Sequence, residues 1–139
     1  MLDGISFEPV GVWNKEDVEQ GYDFWYQPKC NVMVSSEFGV PNDFMKCFDP
    51  ADVAKGSYGS KLHFWDWNKR TLMSSKDLGV EGKIPLEIRF LHNPDAEEGF
   101  VGAALGSSIF RIHKNFGSYI LKLIGLINVR KVIYQNIHF

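Results

Sequence analysis

The 139-residue chain predicts an all-β fold: a β-propeller fragment of roughly two four-stranded blades. Three observations carry this. Aromatic and apolar residues fall in short segments of alternating or continuous apolar character. Those segments are bounded by Gly, Asn, Asp or Pro, the pattern of strands and turns. The same order of segments also occurs twice. "YDFWYQPKCNVMVSSE" is an aromatic strand, a turn with proline and an apolar strand, and "LEIRFLHNPDAEEGFVGAALGSS" repeats that plan with a longer turn. A third strand and a polar turn follow each, in "KLHFWDWNKRTLMSS" and "SIFRIHKNFGSYILKL".

In chain order, the first predicted strand is 5–13, within "LDGISFEPVGVW", which reads as the last strand of a blade whose other strands are missing. Residues 14–20, "NKEDVEQ", start with an Asn cap followed by helix formers and predict a short helix. Strands follow at 22–27 and 31–37. An insertion between Phe38 and Ser57 then holds a second helix signal, "DPADVAKG" at 49–56. The remaining strands are 61–67, 70–75, 85–92, 99–105 and 108–114. Without the insertion, the repeat approaches the roughly 40 to 50 residues of a propeller blade. A closed ring needs about 4 to 8 blades, so the chain reads as a piece of a larger protein.

Composition narrows the function classes. With 15 basic against 17 acidic residues, there is no electrostatic footprint for nucleic acid or an anionic membrane. The longest apolar-rich stretch, 119–127, is broken by Lys122 and Gly125 and falls short of the roughly 20 residues of a spanning helix. The first residues show no basic stretch followed by an apolar one, so the expected compartment is the cytoplasm. There Cys30 and Cys47 are expected to be reduced.

Most candidate motifs have structural explanations. "FWDW", 64–67, carries a Trp-Asp pair in which the aromatic packs between blades and the Asp opens a turn. "GFVGAALGSS" has glycines at 99, 102 and 106 but neither a following helix nor a GK[ST] signature, so close packing of an inner strand explains it better than a nucleotide loop. "NPDAEEG" clusters acids without the alternating ligand positions of a calcium loop. Cys30 stands beside Lys29, a cation that could lower the thiol pKa, but most cysteines in such a place are merely buried. Of the four histidines, His92 is set apart: it ends the first strand of its blade, where an imidazole could face a central channel beside Glu87 or Arg89. Imidazole suits copper, zinc and iron, but one histidine makes no site, and these patterns assign no catalytic group.

"GYDFWYQPKCNVMVSSEF", "PADVAKGSYGSKLHFWDW" and "IPLEIRFLHNPDAEEGFVGAAL" closely resemble the selenium-binding protein family, whose members include methanethiol oxidases. The likeness runs over residues 2–115, giving a partial propeller at 1–115 and a divergent tail at 116–139. The resemblance implies a seven-bladed propeller several times longer than this chain. It also implies oxidation of a small thiol, methanethiol, by oxygen and water to formaldehyde, hydrogen sulfide and hydrogen peroxide. Copper is implied through histidines scattered over several blades, and His92, in "LHNP", is the position here that matches. The family's selenium-associated cysteine has no counterpart in Cys30 or Cys47. The remaining blades are thus the expected partners, with no turnover expected from this piece alone. The competing reading is a non-enzymatic selenium-binding or protein-docking segment.

Overall fold

The computed structural model describes residues 1–126 as two four-stranded antiparallel sheets with little helix. The first sheet has the order β1 (Gly21–Gln27), β2 (Val32–Glu37), β3 (Lys61–Asp66) and β4 (Thr71–Asp77). The second has β5 (Pro85–Phe90), β6 (Glu98–Ala103), β7 (Ser108–Asn115) and β8 (Ser118–Leu126). Each strand pairs with its sequence neighbour, the meander expected of a propeller blade.

The core lies between the sheets. Val32, Val34, Leu62 and Phe64 of the first sheet meet Ile88, Val101 and Ile112 of the second, and all seven are fully buried. The period of two dictates this: alternate residues of β2 and β3 face one way, and burying each such side chain contributes about 1.5–3 kcal/mol. Phe64 also stacks on Tyr119, with ring centroids 5.3 Å apart.

Three expectations need correction. The strand expected at 5–13 is a tight loop with one isolated bridge, Leu2 to Pro9. Asp3 Oδ1 accepts from the amides of Ile5 at 2.9 Å and Ser6 at 2.8 Å. Pro9 has no N–H to give a ladder, and the described residues supply no third strand for this segment to pair with.

The helix expected at 14–20 is also absent, because its polar groups bind elsewhere. The Lys15 amide donates to Arg70 O at 3.1 Å, and Glu16 Oε2 accepts from the Leu72 amide at 2.9 Å, so the segment lines the start of β4.

The third correction is β8, a ninth segment that the strand pattern did not yield. It begins after the two-residue turn Phe116-Gly117, both at positive φ, with Asn115 paired to Ser118. Nine residues of the stretch expected to be a divergent tail thus complete the second blade. The rest of that tail, 127–139 with His138, lies outside the described residues.

Other readings agree with the structure. Helix α1 (Pro41–Phe44) and helix α2 (Pro50–Ala54) both lie in the insertion, and Asp49 caps α2 by accepting from the Ala51 amide at 2.8 Å. Asp66 opens the β3–β4 turn, its Oδ1 accepting from the Lys69 amide at 2.8 Å. Of the three glycines, a side chain at Gly99 would press on Arg89 O at 2.8 Å, and one at Gly106 would collide with Glu81 O. Gly102 has open space, so close packing explains two of them and not the third.

Candidate functional site at the seam between the first strands

β1 and β5, the first strands of the two sheets, lie against each other, and polar contacts stitch them together. Asp23 Oδ2 accepts from the Ile88 amide at 2.9 Å and from Arg89 Nη1 at 3.2 Å. The Arg89 guanidinium also sits 4.5 Å from the centroid of the Trp25 ring, a cation–π contact. Arg89 Nη2 reaches Glu87 at 2.7 Å. Both charged neighbours expected for His92 are therefore paired with each other.

His92 lies just beyond this seam. β5 ends at Phe90, two residues earlier than the sequence pattern predicts, and His92 is exposed in the loop leading to β6. The backbone of this loop is well tied. The Leu91 amide donates to Glu98 O at 3.0 Å, the Ala96 amide to Asn93 O at 2.9 Å, and the Asp95 amide to Asn93 Oδ1 at 3.0 Å. Asn93 followed by Pro94 sets this bend, since the Asn side chain captures the amide two residues on.

The acids after His92 each have a cation of their own. Asp95 pairs with Lys29 at 3.1 Å, Glu97 with Lys114 at 2.8 Å, and Glu98 makes a two-pronged bond to Arg111 at 2.6 and 2.9 Å. That last bond holds the Glu98 carboxyl below its usual range. A calcium loop needs several carboxylates directed at one point, and these point to separate cations.

Cys30 follows the buried reading of the sequence and not the activated one. Burial pushes its thiol pKa up, with the Glu97 charge adding to the effect, while Lys29 is engaged by Asp95. Its Sγ lies 3.6 Å from Ala96 O. Both cysteines are free thiols, and Cys30 is a packing residue of the seam rather than an activated nucleophile.

The fit to copper is partial. His92 offers an exposed imidazole that makes no hydrogen bond among the described residues, which suits a metal donor. The described residues contain no group of three or more His, Cys, Asp and Glu side chains close enough to hold an ion. A copper centre takes several converging donors. This chain can therefore supply one of them, from a fixed loop, and the others would have to come from outside the described residues.

A second polar constellation escaped the sequence reading. His63 and Glu37 are both buried, on neighbouring strands of the first sheet. His63 Nδ1 is 2.8 Å from Ser75 Oγ, and Nε2 is 3.2 Å from Glu37 Oε1, an electrostatic contact rather than a well-aligned hydrogen bond. Glu37 Oε2 accepts from the amides of Ser60 at 3.2 Å and Lys61 at 3.1 Å. The register that places His63 opposite both Ser35 and Ser75 could have suggested a cross-strand network. Its bonds tie β2, β3 and β4 together.

The model for the 56 kDa selenium-binding protein family matches residues 1–137. The chain belongs to that family. It is 53% identical over 116 residues to a methanethiol oxidase of Danio rerio, covering 82% of this chain and 25% of that protein. It is 50% identical over 135 residues to a methanethiol oxidase of Homo sapiens, covering 96% of this chain and 27% of that protein. A hypothetical selenium-binding protein from Sulfolobus tokodaii, solved by X-ray crystallography, superposes with a TM-score of 0.81 at 36% identity, over 89% of this chain and 29% of that one. The chain thus spans about a quarter of the length of the curated relatives it matches. Its two sheets correspond to a propeller-like portion of a selenium-binding protein.

Proposed function

We propose that this chain is the two-blade portion of a methanethiol oxidase that presents His92 as one ligand of a copper centre. The observation that carries this is the identity of 50–54% with methanethiol oxidases, which extends through the loop that holds His92. In the proposed reaction methanethiol, oxygen and water give formaldehyde, hydrogen sulfide and hydrogen peroxide. The carbon gives up two electrons, water supplies the aldehyde oxygen, and oxygen takes the electrons as peroxide. Copper would accept the thiol sulfur and pass on electrons that no side chain can carry.

What this chain's residues contribute is support. The seam of Asp23, Ile88 and Arg89 keeps the two first strands in register, and the tied loop fixes the backbone at His92. Substrate access and the remaining donors belong to the other blades, so the chain alone is expected to show no turnover. The expected setting is the cytoplasm, where both thiols stay reduced. No described helix is long and apolar enough to cross a membrane.

A graft tests the proposal. The matching quarter of the Danio rerio enzyme is replaced by this chain, and peroxide release from methanethiol is measured together with bound copper. The expected result is an active, copper-loaded chimera that loses both properties on His92→Ala. Unchanged copper content in the His92→Ala chimera would remove His92 from the ligand set.

A further inference from the structure

His92 is held in place by a residue of the other sheet. Gln27 ends β1 and is 7% exposed. Its Nε2 donates to Leu91 O at 3.4 Å and to Asn93 O at 3.1 Å, the carbonyls of the residues on either side of His92. A primary amide has two N–H bonds, and both are used here. Because both acceptors are carbonyls, the opposite orientation of the amide would set oxygen against oxygen. The chemistry therefore fixes the orientation of the side chain.

The other contacts across the seam act elsewhere. Asp23 grips Ile88 and Arg89 within β5, and Lys29 and Cys30 meet Asp95 and Ala96 farther along the loop. None of these reaches the residues next to His92. Gln27 stands immediately before Pro28, whose missing N–H stops the strand, so the carboxamide projects from the end of β1 toward the neighbouring loop.

We infer that Gln27 is a positioning residue for His92: its carboxamide fixes the His92 backbone relative to the first sheet and so determines where the imidazole can meet a metal ion. The inference rests on the proposed ligand role of His92. A lone exposed histidine on a free loop would sample many positions, and a metal site requires its donors held close to one geometry.

The test uses the isotope-labelled 139-residue chain and Gln27→Met, which keeps the length of the side chain and removes both donors. Without metal, amide exchange at Asp95 and Ala96 should quicken about tenfold in Gln27→Met, as expected from losing the hold on the loop, with Val101 and Ile112 changing less than about twofold. Copper(II) chloride is then added below one equivalent. In the parent chain the His92 imidazole resonance should broaden together with the amides of Gln27 and Lys29. In Gln27→Met the imidazole should still broaden while those amides broaden much less.

Unchanged loop exchange, equal acceleration across both sheets, or an identical broadening pattern in the two proteins would overturn the inference. Asp23→Asn serves as the comparison for general loosening of the seam, and it should leave the broadening pattern intact. The exchange data decide whether Gln27 fixes the loop, and the copper content of the His92→Ala chimera decides the ligand reading, so the two can fail separately.

Discussion

Glu37 shows how one buried carboxylate can make a sheet sensitive to acid. Burial alone would push its pKa up. The contact with His63 and the Lys61 amide outweigh burial, and the carboxyl is held below its ordinary value of 4.5. A group with a depressed folded pKa stabilises the protein above its unfolded pKa, and that stabilisation is lost as pH falls through the folded value. Thermal stability should therefore decline as pH drops from about 4.5 downward. Glu37→Gln should cost about 1–3 kcal/mol at neutral pH, because two amides lose a charged acceptor, and should flatten the decline at low pH. Melting curves of both proteins from neutral to acid pH check this, and an equally steep decline in Glu37→Gln would assign the acid sensitivity to other carboxylates. Asp77 contributes in the same direction, its carboxyl lowered by Ser60 Oγ and the Gly79 amide.

The β7–β8 hairpin makes the opposite kind of prediction, a gain. Phe116 sits at φ 45 and Gly117 at φ 82, as a two-residue turn with both φ values positive requires. The glycine suits its place, but a phenylalanine in the left-handed region costs about 1–2 kcal/mol, and this ring is fully exposed with nothing to gain by packing. Phe116→Asn should raise stability by about 1 kcal/mol, read as a higher melting temperature. A lower one would mean that the aromatic ring makes contacts that the described residues do not show.

The same turn explains what the sequence concealed. Patterns of alternating or continuous apolar character recovered the two repeats and seven of the eight strands: on β2 buried Val32 and Val34 alternate with half-buried Met33 and Ser35, and on β3 the run from Leu62 to Trp65 is buried throughout. The eighth was obscured because its turn carries phenylalanine where Asn or Gly is usual, and because Lys122 and Gly125 interrupt its apolar run. At 5–13 and 14–20 the local pattern was real, but Asp3 and Glu16 direct backbone amides into other bonds. In the site, His92 stood out by its place before Asn-Pro. Gln27 did not, since a polar residue at a strand end gives no sign that it reaches a loop some 66 residues away.

The two sheets cover only one face each, and the uncovered face of the first is aromatic. Tyr22, Phe24 and Tyr26 alternate along β1 at 58%, 54% and 45% exposed, on the side away from the core. Beside them Trp13, Met33, Trp65 and Trp67 line an apolar recess of about 450 Å³. A water-facing strand would place polar residues there, and a contiguous apolar patch of this kind marks a surface made for contact. In a propeller every blade has a neighbour on both faces, and a face of this kind suits such a contact. The isolated chain should therefore self-associate as its concentration rises, giving a mass by light scattering above 15.9 kDa. Tyr22→Ser with Phe24→Ser should return it toward the monomer mass without unfolding it, because neither ring belongs to the core between the sheets. A parent chain that stays monomeric at every concentration would show that this face does not drive association.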